Sequence, residues 1–173
     1  SSPMDRRPKF HLYHPNIALI SGIAWDHINV FPTFENYVEQ FDIFCQKIEP
    51  NGRLIYNTED PEVKKLGEKW QEKLDVIAYQ TPKYMVEDNA TIVSYDNREY
   101  HMHVFGQHNL QNMMGAMEIG RAMGIEPSAF LTAMQSFTGA GKRLQKVTET
   151  PDFVLFKDFA HSPSKVSATT KAV

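Results

Sequence analysis

The sequence predicts an α/β fold, in which strands and amphipathic helices alternate along the chain. Three short runs have the composition of strands, namely Ile17–Ile20, Arg53–Asn57 and Asp75–Tyr79. Segments with apolar residues at helical spacing separate these runs, and this order is typical of open α/β sheets. A β-hairpin, two helices and a final strand–helix pair follow, so the two halves of the chain are predicted to differ in architecture.

The first strand follows Pro15 and Asn16 and consists of apolar residues only, as expected for a buried strand. A helix is predicted after Thr33, whose hydroxyl group can cap it. Seven apolar residues at spacings of three and four form one stripe on that helix. They are Phe34, Tyr37, Val38, Phe41, Phe44, Cys45 and Ile48. The turn at residues 50–52 ends this helix before the second strand.

The second helix is predicted to begin at Asp60 and Pro61, where a cap residue and a first-turn proline stand in the usual order. Val63, Leu66 and Trp70 form its apolar face. The third strand follows, and it completes the strand–helix alternation of the first half.

Alternating apolar residues on both sides of residues 96–98 predict a β-hairpin formed by residues 91–95 and 99–105. Two helices follow, one ending at Gly124 and the other beginning near Pro127. Their apolar residues are Leu110, Met113, Met114, Met117 and Met123 in the first and Phe130, Leu131, Met134 and Phe137 in the second. We interpret the methionine-rich face as core packing and assign it no cofactor.

The chain ends with a predicted strand over residues 153–156, which leads to Asp158, and a helix opened by Ser162 and Pro163. We place a domain boundary near residue 143, in a loop that contains two glycines. Because Ser1 is not an initiator methionine and the last helical pattern continues to Val173, we expect the chain to be a piece of a longer protein.

Composition narrows the classes of function. The 173 residues are 42% hydrophobic, which suffices for a sizeable core in one domain or one domain plus part of another. A net charge of −3 provides no long-range attraction to nucleic acid or to anionic membranes, so we expect neither partner. The single cysteine, Cys45, excludes an internal disulfide and suits a reducing cytoplasm. The oligomeric state does not follow from the sequence.

The junction between the hairpin and the next helix is the first candidate site. Gly106 ends the strand, and a polar cluster of His108, Asn109 and Asn112 opens the helix. Free backbone N–H groups and the positive end of the helix dipole favour an anionic or nucleotide ligand there. The two carboxamides can donate and accept hydrogen bonds to a base. The alternative is that Asn109 only caps the helix.

Histidines provide two further candidates. Asp26 and His27 follow the first strand, and open α/β sheets bind ligands at the carboxyl ends of strands. An imidazole beside a carboxylate suits a metal or phosphate site, although a surface loop histidine is the alternative. His101 and His103 are two apart on a predicted strand and share a face, but no third metal ligand accompanies them.

The C-terminal third contains the remaining candidates. Lys142 and Arg143 follow two glycines, so they form either a hinge that carries a cation to a phosphate or a solvated basic loop. Asp158 ends an apolar strand, where a carboxylate can hold a ribose hydroxyl or a hinge. His161 stands beside a predicted helix cap and can face a substrate.

Four of these motifs, taken together, resemble the Mur ligase family of ATP-dependent amide-forming enzymes of peptidoglycan synthesis. In chain order they are Asp26-His27, His108-Asn109-Leu110-Gln111-Asn112, Gly141-Lys142-Arg143-Leu144 and Asp158-Phe159-Ala160-His161. The resemblance extends from about residue 10 to residue 173. It implies that residues 1–143 are the second half of a P-loop-type central ATP-binding domain. Residues 144–173 would then begin a Rossmann-like C-terminal domain.

The resemblance also implies roles for individual residues. His27 matches a histidine of the family's magnesium site, and Arg143 matches an arginine that reaches the ATP phosphates. The side chains that match the nucleotide site are His108, Asn109, Asn112 and Asp158, of which the two asparagines hold the adenine region. His161 matches a histidine on the side of the incoming substrate.

The implied reaction uses ATP and Mg²⁺ to convert the carboxylate of UDP-N-acetylmuramate into an acyl phosphate, which an amine then attacks. Residues 25–31 and the last two motifs most resemble the branch whose amine is the recycled tripeptide L-alanyl-γ-D-glutamyl-meso-diaminopimelate. The branch that adds L-alanine is the alternative. The family's phosphate-binding Gly-Lys-[Ser/Thr] loop is absent from these residues. We therefore expect the chain alone to be inactive, and a non-catalytic nucleotide-binding domain is the alternative of another class.

Overall fold

The computed structural model describes residues 5, 7–87, 90–141, 143–161 and 163–173. Lys142 and Ser162, which the sequence analysis names in a hinge and a helix cap, lie outside the described residues. The chain divides into two compact units. The first unit comprises the residues up to Gln80 together with Met114–Gly124, and the second comprises Thr81–Met113 and Ile125–Val173.

A three-stranded parallel sheet with the order β1-β2-β3 forms the centre of the first unit. Its strands are β1 (Ile17–Ile20), β2 (Arg53–Asn57) and β3 (Asp75–Tyr79), with Ile17 paired to Arg53 and Arg53 to Asp75. Helix α1 (Phe34–Cys45) connects β1 to β2, and helix α2 (Pro61–Trp70) connects β2 to β3. The three predicted strands and the α/β class are confirmed.

Both predicted helix caps of the first unit are present. The Thr33 hydroxyl accepts a hydrogen bond from the Asn36 N–H at 3.1 Å, and one carboxylate oxygen of Asp60 accepts from Glu62 and Val63 at 3.0 Å each. The apolar stripe of α1 packs on the buried faces of the sheet and of α2. The buried cluster consists of Ala18, Ile20, Ile23, Cys45, Ile48, Leu54, Tyr56, Val63 and Leu66.

The second unit contains an antiparallel sheet with the order β4-β5-β6. Its strands are β4 (Lys83–Glu87), β5 (Ala90–Tyr95) and β6 (Arg98–Met102). Asp96 and Asn97 connect β5 to β6 with φ angles of 49° and 58°, as a tight hairpin turn requires. The predicted hairpin is confirmed, although its second strand ends at Met102 and not at residue 105. The sequence analysis missed β4.

A short 3-10 helix, Lys9–Leu12, precedes the first sheet. The other elements of the described residues are α3 (Gln107–Ala122), α4 (Pro127–Met134), β7 (Gln145–Glu149), β8 (Val154–Lys157) and α5 (Pro163–Ala172). Of the predicted methionine face, Met113, Met114 and Met117 are buried. Met123 is 69% exposed because α3 ends at Ala122, so its assignment to the core was wrong. In the described part of the chain, no helix combines the length and apolar character needed to cross a bilayer.

Candidate functional site

The loop after β1 presents His27 to solvent. Asp26 accepts a hydrogen bond from the His27 backbone N–H at 2.8 Å, and the His27 carbonyl accepts from Val30 at 2.8 Å and Phe31 at 3.0 Å. The backbone of His27 has φ = 56°, in the left-handed region that few residues with a side chain adopt. The imidazole is exposed, as a metal or phosphate ligand requires.

Two polar side chains hold the start of this loop against the end of β2. Asn57 is 2% exposed; its amide group donates to the Ser21 carbonyl at 3.0 Å and its side-chain oxygen accepts from the Glu59 N–H at 3.0 Å. The second carboxylate oxygen of Asp60 accepts from the Ile23 N–H at 2.9 Å. From the sequence, Asp60 was predicted only as a helix cap, and Asn57 was not predicted to have a role. The sequence signal that could have indicated this contact is an asparagine at the end of an apolar strand, because a buried amide group needs hydrogen-bond partners.

The N-terminus of α3 differs in one respect from the prediction. The helix begins at Gln107, and the Gly106 carbonyl accepts from the N–H groups of Asn109 and Leu110 at 3.0 and 3.2 Å. Asn109 is therefore not the cap. It lies in the first turn and donates its amide group to the Phe105 carbonyl at 2.8 Å. Asn112 is exposed and stands three residues after Asn109, so the two carboxamides belong to the same helix face.

His108 lies in the same turn and is half-buried. Burial lowers the pKa of His108, and the charge of Asp158 acts in the opposite direction. A Cβ atom on Gly106 would stand 2.7 Å from the Ala172 Cβ and 3.1 Å from the His108 Cε1. The absence of a side chain at Gly106 therefore lets α5 pack against the N-terminus of α3, beside His108.

The Asp158 carboxylate accepts hydrogen bonds from several parts of the second unit. The Thr169 hydroxyl donates to it at 2.5 Å and the Phe159 N–H at 2.6 Å. The backbone N–H groups of Ala160 and Leu144 also donate to it. The Thr169 hydrogen bond is the largest of the causes that lower the pKa of Asp158. The carboxylate thus joins the end of β8, helix α5 and the start of β7.

Arg143 and His161 are both exposed. The Arg143 N–H donates to the Ala140 carbonyl at 3.1 Å, and the next residue, Leu144, is buried with φ = 43°. The buried Leu144 thus fixes the backbone that follows Arg143, whose own side chain is exposed. The His161 Nδ1 is 2.8 Å from the Phe159 carbonyl, and the two rings lie 5.1 Å apart.

The described residues contain no group of three or more His, Cys, Asp or Glu side chains arranged to hold a metal ion. His101 is exposed on β6, and its backbone N–H donates to the Gln135 side chain at 3.2 Å. His103 lies beyond the end of β6, so the two histidines do not share a strand face as predicted. They are hairpin surface residues.

The structure therefore distributes the seven candidate residues between the two units. His27 belongs to the first unit. The second unit contains His108, Asn109, Asn112, Arg143, Asp158 and His161. Within the second unit, the contacts of Gly106 and Asp158 bring the start of α3, the end of β8 and α5 into one neighbourhood.

Comparison with protein families matches most of the chain to one family. The family model "Mur ligase middle domain" matches residues 3–120. A UDP-N-acetylmuramate–L-alanine ligase of Desulfitobacterium hafniense (strain Y51) is 27% identical over 174 residues, covering 95% of this chain and 39% of the relative. The corresponding ligase of Caldicellulosiruptor bescii is 28% identical over 172 residues, covering 92% of this chain and 38% of the relative. This chain thus spans about two fifths of their length.

Solved structures show the same fold. MurF from Acinetobacter baumannii superimposes with a TM-score of 0.78 at 16% identity, covering 92% of this chain and 37% of that chain. UDP-N-acetylmuramate–alanine ligase MurC from Thermotoga maritima gives a TM-score of 0.71 at 17% identity, covering 97% of this chain and 40% of that chain. These structures support the α/β architecture described above.

Proposed function

Because the chain belongs to the Mur ligase middle domain family, we propose that it is the nucleotide-binding part of an ATP-dependent ligase acting in the cytoplasm. The ligase joins an amine to UDP-N-acetylmuramate. The observation that carries this proposal is the neighbourhood in the second unit, where Asp158 binds Thr169 of α5, and α5 packs at Gly106 beside His108 and the polar first turn of α3. In the proposed division, residues 1–143 are part of the central domain and residues 144–173 begin the C-terminal domain.

The first turn of α3 supplies the contacts to the nucleotide base. Asn109 keeps its side-chain oxygen as an acceptor while its amide holds the Phe105 carbonyl, so the strand exit fixes its orientation. Asn112 offers both a donor and an acceptor one turn later. His108, whose pKa burial lowers, is favoured as a neutral imidazole that both donates and accepts.

The hinge residues act on the phosphates and the ribose. The exposed guanidinium group of Arg143 can form paired hydrogen bonds to phosphate oxygens and neutralise charge that develops during phosphoryl transfer. Asp158 fixes Leu144, the neighbour of Arg143, and it lies close enough to His108 to affect its pKa. His161, exposed after β8, is assigned to the incoming amine substrate.

His27 is assigned to a magnesium site. Mg²⁺ binds through few protein ligands together with phosphate oxygens and water, and an exposed imidazole beside Asp26 fits one such position. When bound, the ion neutralises phosphoryl charge and helps to orient the nucleotide. The loop residues of this chain would hold the imidazole in place for the ion, with phosphate oxygens and water as further ligands.

In the proposed reaction, the carboxylate of UDP-N-acetylmuramate attacks the γ-phosphorus of ATP, and ADP leaves. The neutral amine then attacks the carbonyl carbon of the acyl phosphate, the C–O bond to the phosphate breaks, and inorganic phosphate and one proton of the amine leave as the amide forms. We assign the tripeptide L-alanyl-γ-D-glutamyl-meso-diaminopimelate as the amine, on the resemblance of residues 25–31 to that branch. L-alanine is the second candidate, because the relatives named above are L-alanine ligases.

Phosphate release by the full-length enzyme tests this assignment. We expect release from ATP only when UDP-N-acetylmuramate and the tripeptide are both present, with much slower release when L-alanine replaces the tripeptide. Equal or faster release with L-alanine would replace the tripeptide by L-alanine. No release with either amine, together with normal ATP binding, would favour a non-catalytic nucleotide-binding domain. His101→Ala, on the hairpin surface, is a matched control for His27→Ala, which we expect to lower turnover strongly.

A further inference from the structure

Residues 25–31 form a loop whose two ends are joined by hydrogen bonds. The Trp25 indole N–H donates to the Phe31 carbonyl at 3.0 Å, and the Phe31 N–H donates back to the His27 carbonyl at 3.0 Å. The hydrogen bond from Val30 to His27 tightens the same turn. The N–H group and the carbonyl group of Phe31 therefore both form hydrogen bonds within this loop. The hydrogen bond from the indole joins the residues that are farthest apart in sequence.

Aromatic contacts fix the loop to α1. Phe31 is buried, and its ring centroid lies 5.4 Å from that of Tyr37. The Trp25 ring lies 6.3 Å from Phe34 but remains 41% exposed. Trp25 is thus not a core residue. The hydrogen bond of its indole N–H links it to the end of the loop, and a tilted ring contact links it to Phe34 of α1.

The backbone conformation of His27 depends on this closure. A residue with a Cβ atom adopts φ = 56° only where its surroundings hold it there. The hydrogen bond from the His27 N–H to Asp26 is local and can persist when the rest of the turn opens. The Trp25 hydrogen bond spans six residues and holds the two ends of the turn together.

We propose that Trp25 is a positioning residue, whose indole N–H keeps residues 25–31 closed and so holds the exposed imidazole of His27 in its binding orientation. The inference rests on the proposed magnesium role of His27. It assigns Trp25 no contact with substrate or metal. It also gives a structural reason for a large, half-exposed indole directly before Asp26 and His27.

Trp25→Phe in the full-length enzyme tests the proposal, because phenylalanine keeps an aromatic ring and removes the N–H donor. Trp70→Phe is the matched control, since Trp70 also makes one indole hydrogen bond, to Asp42 at 2.8 Å, elsewhere in the first unit. The readout is Mn²⁺ binding in the presence of ADP, measured from the electron paramagnetic resonance of free Mn²⁺. Losing one hydrogen bond predicts roughly threefold to tenfold weaker Mn²⁺ binding in Trp25→Phe. Binding by Trp70→Phe and metal-free ADP binding should be unchanged.

A double variant separates positioning from a general effect on folding. If Trp25 acts through His27, then adding Trp25→Phe to His27→Ala causes no further loss of Mn²⁺ affinity. Unchanged affinity in Trp25→Phe, or equal additional losses in both backgrounds, would overturn the proposal for Trp25. Unchanged affinity in His27→Ala would remove His27 from the metal site, and the inference for Trp25 would fall with it. The phosphate-release assay tests the ligase activity independently of this result.

Discussion

The parallel sheet of the first unit and the C-terminal segment of the second, residues 144–173, are held by different forces. Four of the five residues of β2 are buried, and Leu54 and Ile55 are fully buried. In β7 all five residues are exposed, and α5 contains no buried residue. The sheet thus rests on removal of apolar surface from water, whereas the C-terminal segment depends on a few specific contacts.

Those contacts converge on two points. The Asp158 carboxylate binds Leu144, Thr169 and its own following residues. The Phe156 ring lies 5.5 Å from that of Phe105, and Ala172 packs where Gly106 has no side chain. A segment fixed in this way can be released by one change of contact. This property suits the part of the chain that we propose to begin a separate domain.

The largest expected effect is the difference in stability loss between a substitution in the buried sheet and one in the exposed C-terminal segment. Leu54→Ala, which opens a cavity in the fully buried centre of β2, should lower the free energy of unfolding by about 2–5 kcal/mol. Leu155→Ala, in the half-exposed strand β8, should change it by no more than about 0.5 kcal/mol. Denaturant unfolding of both variants measures the difference. Similar losses would show that the C-terminal segment has an apolar core after all.

The same contrast explains what the sequence could predict. Strands β1, β2 and β3 were predicted with their observed bounds, because each contains consecutive apolar residues with a preference for strands, and in β1 and β2 several of these residues are buried. Strand β7, with the sequence Gln-Lys-Val-Thr-Glu, was missed because it buries nothing and so has no apolar pattern. Strand β7 pairs with β8 through its backbone, and the side chains of β7 show no pattern that would indicate this pairing.

The candidate site shows the same limit. The sequence identified His27, Asn109 and Asp158 as candidates, because His27 and Asp158 follow predicted strands and Asn109 stands at the start of a predicted helix. Their partners were not predictable, since Thr169 is 11 residues from Asp158 and Leu144 belongs to another strand end. The left-handed backbone of His27 likewise results from a closed loop, and no residue type in the motif signals it.

A second prediction concerns the packing of α5. Gly106 and Gly124 have similar φ angles of 83° and 87°, so an alanine at either position is strained by about 1–2 kcal/mol. At Gly106 the new Cβ also meets Ala172 at 2.7 Å, whereas a Cβ at Gly124 would meet no other part of the described structure within 4 Å. Gly106→Ala should therefore cost about 1–3 kcal/mol more. Amide hydrogen exchange in α5 should accelerate in Gly106→Ala and not in Gly124→Ala, and equal rates would argue against this packing.

The smallest expected effect is a change in the pKa of Asp158 when its hydrogen bond from Thr169 is removed. Thr169→Val removes the hydroxyl donor to Asp158, and the pKa of that carboxyl should rise towards its ordinary value. The neighbouring Thr170 donates within its own helix to the Val166 carbonyl at 2.9 Å, so Thr170→Val is the control. Carbon-13 NMR titration of the Asp158 carboxyl group measures both.

The sign of the pH dependence follows from this pKa. Because hydrogen bonds in the folded protein lower the pKa of Asp158 below its ordinary value, its contribution to stability is present above the ordinary value and is lost as the pH falls through the lowered one. Hydrogen exchange at Leu144, Phe159 and Ala160, corrected for the intrinsic pH dependence of exchange, should therefore lose protection in acid before the amides of β2 do. Thr169→Val should move that loss to a higher pH, and Thr170→Val should not. Simultaneous loss in β2 and at these three amides would mean that the carboxylate does not hold the C-terminal segment separately from the sheet.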